Sequence, residues 1–304
     1  MKNLIFTFTL FLSCFTICVY SQINTREKPI SFRRNIPGLQ NNERTRKHLP
    51  SLDMNKIEQE DKEDDANGMP PRFGYRQKVD YNLENSGEWD TLSNGDRIWR
   101  LSISCPEALS INLLYDKFWI PDSTEFFIYS NDQKHSLGAF TSQNNKGTKD
   151  NPKGFATGLV YGNEITLEYY VPNGVKDIGE ISVAYVIHGY KYILLSNDEN
   201  TGIFGQSQSC NININCPEGQ GWQKEKNAVA LILINGNLLC TGSLINTTAN
   251  DNRPLFLTAD HCLDGGDAIN APNLNYWSFY WQYESPDCTN IGQQHYIQQL
   301  EPRL

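Results

Sequence analysis

"AVALILINGNLLCTGSLI", residues 228–245, reads as two strands joined by a tight turn, and it decides what the last third of the chain builds. Its first seven residues are apolar without interruption, as in a strand buried on both faces. "NGN" at 235–237 supplies residues that tolerate positive φ in a hairpin turn, and "LLCTGSLI" returns as the partner strand. "RPLFLTA" (253–259) and the aromatic "NYWSFYWQYE" (275–284) supply a third and a fourth strand. The third runs straight into His261 and Cys262, the end of "FLTADHC" (256–262).

Upstream, short runs rich in aromatic and β-branched residues recur. "RIWRLSIS" (97–104), "SINLLYD" (110–116), "EFFIYS" (125–130), "EITLEYYV" (164–171) and "EISVAYVIHGY" (180–190) are separated by turns such as "GTKDNPKG" (147–154) and "VPNGVKDIG" (171–179). Several alternate polar with apolar residues, as a sheet with one buried face requires. The fold class expected is mainly β, with a β-sandwich over 71–190, a polar connector over 191–209 and a second β-rich unit from 210 to 304. No helix of clear amphipathic period and no internal repeat stands out. Residues 22–70 read as a flexible, charged pro-segment, basic at first (Arg26 to Lys47) and then acidic in "EQEDKEDD" (58–65), with few apolar residues to order them.

The first residues carry an address. Lys2 and the apolar "LIFTFTLFLSCFTICVY" (4–20), followed by small residues at Val19 and Ser21, read as a signal peptide over 1–21 and point to secretion rather than a stable membrane anchor. A net charge of −9 argues against nucleic acid or anionic membrane as a general partner. In an oxidising compartment Cys105, Cys210, Cys216, Cys240, Cys262 and Cys288 become disulfide candidates, and five of these six follow residue 209. The last third is expected to be stapled.

Three roles compete for His261: a structural histidine, a zinc ligand or a general base. Asp264 and Asp267 do not give "HC" a metal-ligand spacing, so no metal and no cofactor are expected. A general base must be held in one orientation, and a bridge from Cys240 to Cys262 would clip the histidine's turn to the preceding strand. His48, His135, His188 and His295 have no convergent partners. Trp99, Trp119, Trp277 and Trp281 read as core or sheet-face aromatics rather than ligand platforms. "NTT" at 246–248 fits a glycosylation sequon.

"CTGSLINTTANDNRPLFLTADHC" (240–262) resembles the histidine half of a chymotrypsin-fold serine protease, and in particular the bacterial lysyl endopeptidase family. "SQSCNININCPEG" (207–219) is similar to the start of the mature enzyme there, and "YWSFYWQYESPDC" (276–288) to the strand that follows. The resemblance implies that His261 is the general base of a Ser-His-Asp triad. It also implies bridges Cys240–Cys262 and Cys216–Cys288, and a pairing of Cys210 with a cysteine further along. It makes 210–304 the first half of a trypsin-like double β-barrel and the sandwich a pre-protease domain. The substrate would be a protein or peptide; the oligomeric state stays open.

The triad's aspartate and serine lie well downstream in that family, and no "GxSG"-type motif occurs in these 304 residues. The expectation is a fragment ending before both, inactive as it stands, with a tail "IGQQHYIQQLEPRL" (291–304) of little strand character. The alternative is a secreted binding or adhesion protein in which the sandwich works and the protease segment is vestigial.

Overall fold

A computed structural model of the chain describes residues 27–34, 45–193, 210–249, 251, 253–263, 273–285, 287–288 and the backbone of 295–299. The expected signal peptide lies outside the described residues. In chain order the elements are α1 (Ile30–Arg34), β1 (Arg46–His48), α2 (Met54–Ala66), β2 (Gly74–Asn82), β3 (Glu88–Thr91), β4 (Arg97–Ser104) and β5 (Ser110–Trp119). There follow β6 (Glu125–Ser130), β7 (Ser136–Phe140), β8 (Gly147–Thr148), β9 (Asn151–Ala156), β10 (Val160–Tyr161), β11 (Glu164–Val171) and β12 (Glu180–Gly189). The last five are β13 (Val229–Ile234), β14 (Leu238–Ile245), β15 (Leu255–Thr258), β16 (Ser278–Glu284) and β17 (His295–Gln299).

The protein is mainly β. One sheet runs β1-β4-β11-β6-β7, with β3 also on β4, and a second runs β2-β12-β5-β9-β8, with β10 on β5. Among the described residues every pair is antiparallel except β1 on β4. Strand alternation sends Trp99, Leu101 and Ile103 of β4, Phe126 and Ile128 of β6, and Leu167 and Tyr169 of β11 into one core. Leu113, Tyr115 and Phe118 of β5 and Val183 and Val186 of β12 meet them from the other sheet. Phe118 stacks on Phe155 at 4.5 Å between centroids, and Trp99 donates its indole N–H to the Ser86 carbonyl at 2.8 Å.

The third sheet runs β15-β14-β13-β16-β17. The β13–β14 hairpin turns at Asn235 (φ 50°) and Gly236 (φ 76°), the paired positive φ values of the turn that matches strand twist. Its two faces differ. Leu233, Leu239 and Tyr280 pack against Phe73, Leu159 and Ile193 from the first two-thirds of the chain. Ala230, Ile232, Ile234, Cys240, Trp277 and Phe279 form a separate core on the opposite face. The hairpin tip is docked as well: Asn112 Nδ2 donates to the Gly236 carbonyl at 3.0 Å, and the Phe73 N–H donates to the Asn237 carbonyl at 3.0 Å.

Residues 27–34 and 45–66 correct the reading of 22–70 as a flexible leader. β1 joins the first sheet beside β4, and α2 is a 13-residue helix capped by Asp53, whose side chain accepts from the Lys56 N–H. The helix has almost no apolar stripe, which is why no helical period shows in the sequence; buried Ile57 and contacts of its acidic face hold it. Arg72 binds Asp61 at 2.9 Å and Glu60 at 3.1 Å, and Lys191 reaches Asp61 at 2.8 Å. In the connector expected over 191–209, Ile193 is 2% exposed and part of a core; 194–209 lie outside the described residues. The tail, expected to have little strand character, supplies β17, which pairs with β16.

Candidate active site

His261 sits in a 3-10 turn, Asp260–Cys262, directly after β15. The preceding strand is fixed by pairing of Gly242–Ile245 with Leu255–Thr258. Thr258 Oγ1 adds a hydrogen bond to the Thr241 carbonyl at 2.9 Å. Gly242 is required here, because a Cβ at that position would lie 2.2 Å from Cε1 of Phe256. The Phe256 ring then packs edge-on against Phe279 at 5.1 Å and Trp281 at 5.9 Å.

The turn is closed by the Cys262 N–H donating to the Ala259 carbonyl at 3.1 Å and the Leu263 N–H to the Asp260 carbonyl at 2.8 Å. Cys262 is buried and bonded to Cys240 on β14, with the Cα atoms 6.2 Å apart. His261 is exposed beside the buried, disulfide-bonded Cys262. Sγ of Cys240, Sγ of Cys262 and a ring nitrogen of His261 lie within 4.8 Å of one another. Both sulfurs are committed to the disulfide, so this trio offers an imidazole and no thiolates. Among the described residues no side chain hydrogen-bonds to the ring. Asp264 and Asp267 lie outside the described residues.

A second disulfide joins Cys216 and Cys288, with Cα atoms 4.5 Å apart. It ties the entry of the third sheet to the end of β16, beside an ion pair of Lys226 with Glu284 at 3.0 Å. Asn213 Nδ2 spans the same gap to the Asp287 carbonyl at 3.0 Å. Cys105 is buried in the sandwich, where burial pushes its thiol up to about 12; Cys210 is exposed and takes part in neither bridge.

The remaining histidines lie on or beside other elements. His188 is buried in β12, and burial lowers its pKa against the opposing pull of Glu107. His135 packs on Tyr161 at 5.1 Å, His48 is exposed on β1, and nothing is described of the His295 side chain. Trp99 and Trp277 are core residues, while Trp119 and Trp281 are half-buried. The contact that sequence reading missed is the Gly242–Phe256 pair. Its signal was present as a lone glycine inside a strand pattern, a sign of close approach.

Residues 204–302 match the family model of "Lysyl endopeptidase, C-terminal domain". The lysyl endopeptidase of Pseudomonas aeruginosa is 25% identical over 138 residues, covering 43% of this chain and 29% of that protein. The chain therefore spans less than a third of the length of that curated relative. A solved structure of Arthrobacter globiformis T6 isomalto-dextranase complexed with panose aligns at a TM-score of 0.21 and 12% identity, over 38% of this chain and 22% of that one. An alignment that loose carries no argument. The chain is lysyl endopeptidase-like.

Proposed function

We propose that residues 210–304 are the histidine-bearing part of the catalytic domain of a secreted serine endopeptidase, with His261 as its general base. The observation that carries this reading is the Cys240–Cys262 disulfide, which anchors the 3-10 turn to β14 and leaves the imidazole open. A base that moves a proton both ways must hold its orientation while presenting one ring nitrogen to a nucleophile. In the acyl-transfer mechanism, a serine Oγ attacks the peptide carbonyl as the imidazole takes its proton. The imidazolium then returns that proton to the leaving amine. An aspartate on the other ring nitrogen would fix the tautomer.

The match at 204–302 supports the reading. On it, residues 1–21 are the signal peptide, 71–190 a pre-protease sandwich, and the substrate a protein or peptide cut after lysine. These 304 residues contain no Gly-x-Ser-Gly motif. On this reading the attacking serine is not among them.

A binding or adhesion role has one observation in its favour: the sandwich has a core of its own, separate from that of the third sheet. One experiment tests the missing nucleophile and another separates the two readings. The peptidase reading expects a serine-directed fluorophosphonate to leave residues 1–304 unlabelled. It also expects coding sequence after codon 304 to hold an aspartate-bearing strand and a Gly-Ser nucleophile motif. Labelling of residues 1–304 overturns the missing nucleophile, and a stop with no such coding potential favours the binder.

A further inference from the structure

We propose that the outward face of the first sheet is a peptide-recognition groove filled by the chain's own residues 27–34, and that the same segment of a second copy can take it. The proposal is independent of the peptidase reading. Outward positions of an antiparallel sheet are ordinarily polar and wet. Here Ile98 of β4, Phe127 and Tyr129 of β6, and Tyr170 of β11 share that face with Glu168, which is 0% exposed. A carboxylate is not left that deep without partners.

All five residues of 30–34 have a station in the groove, with the Phe32 ring edge-on to Tyr129 at 4.7 Å between centroids. Ile30 is buried among Ile98, Phe127, Tyr129, Ala139 and Tyr170. Ser31 donates its N–H to Glu168 Oε1 at 3.0 Å and its hydroxyl to Oε2 at 2.5 Å, where Tyr129 adds a third donor at 3.2 Å. Arg33 pairs with Glu125 and lies 5.7 Å from the Phe127 centroid. Arg34 binds Asp96 at 2.8 Å and the Tyr170 hydroxyl at 3.2 Å, with its guanidinium 5.3 Å from that ring centroid. Three carboxylates and three aromatic rings thus read an apolar-hydroxyl-aromatic-basic-basic order. Bidentate capture of one residue and charge pairing of two others give both affinity and register.

The segment behaves as a ligand in its packing. It contributes nothing to the inner core of the sandwich and pairs with no strand. Apart from the Tyr129–Glu168 bond, which lies within the groove, every contact named above joins 30–34 to it. Because each copy carries the same segment and the same groove, exchange between copies conserves all of these contacts, the condition for a domain swap.

The test uses the full chain. Ser31→Glu sets a second carboxylate against Glu168 and should expel the resident segment. Arg33→Glu with Arg34→Glu does so through Glu125 and Asp96, without touching Glu168. A fluorescein-labelled synthetic peptide of residues 26–35 is titrated into each variant and into wild type, followed by anisotropy. Saturable binding at least about tenfold tighter to the variants than to wild type is expected, with about tenfold lost when the peptide carries Ser31→Ala or Arg34→Ala. Variants that keep the wild-type circular dichroism yet bind no better than wild type overturn the proposal. So does equal binding of a scrambled peptide of the same charge.

Discussion

The Leu159 N–H, in the sandwich, donates to the Tyr280 hydroxyl, in the third sheet, at 3.2 Å across 121 residues of sequence. Both groups sit in the apolar seam with Phe73, Leu233 and Leu239. This bond and the docked hairpin tip join the third sheet to the sandwich by the face opposite the disulfide and its histidine. Tyr280→Phe strips the buried N–H of its acceptor and is expected to cost about 1–3 kcal/mol. Urea denaturation followed by tryptophan fluorescence measures it, and a midpoint equal to wild type would contradict the seam.

Gly242 is the second test of packing. A methyl there meets Phe256 Cε1 at 2.2 Å and the Leu257 carbonyl at 2.7 Å, so ring and strand cannot both stay. Gly242→Ala is expected to destabilise the sheet by about 1–3 kcal/mol, the usual cost of overpacking. Pairing with Phe256→Leu should recover part of that loss in the same denaturation assay.

The Cys240–Cys262 bridge closes a loop with a sequence separation of 22. In the chain-entropy model a loop of that size contributes about 3 kcal/mol. The double substitution Cys240→Ser with Cys262→Ser should lower the unfolding midpoint accordingly. It should also raise hydrogen exchange at Ala259–Leu263, because the turn loses its anchor.

Asp61 makes the α2 clasp sensitive to acid. Burial pushes its pKa up, but hydrogen bonds from Lys191 and Arg72 outweigh this and hold it below the ordinary value of about 3.9. A depressed carboxylate contributes stability above its unfolded value and loses it as pH falls through the folded one. Wild type should therefore lose thermal stability below about pH 4 more steeply than Asp61→Asn, with the two curves parallel above pH 5. Melting temperatures from pH 2.5 to 6 check this.

Much of the fold is legible because local pattern and burial agree. The aromatic and β-branched runs at 97–104, 110–116, 125–130, 164–171 and 180–190 fall on β4, β5, β6, β11 and β12, and "NGN" turns where Asn235 and Gly236 adopt positive φ. The misses at 27–34 and α2 share one cause, stabilisation by residues distant in sequence. Segment 27–34 is ordered by Glu168, 137 residues from Ser31, and α2 by Arg72 and Lys191. Neither has a hydrophobic period of its own. At the site, the histidine turn follows from "FLTADHC". The aromatic packing that supports it depends on Phe256 meeting Gly242 across a strand pair, which no local pattern reveals.

The central claim is that His261 is a general base in serine peptidase chemistry. The most direct measurement is fluorophosphonate labelling of the protein expressed from its own gene, with all coding sequence that follows codon 304, in wild-type and His261→Ala forms. Loss of the base is expected to slow labelling by about 10⁴-fold or more while circular dichroism is unchanged. Labelling of His261→Ala at the wild-type rate, or no labelling of wild type, would contradict the claim.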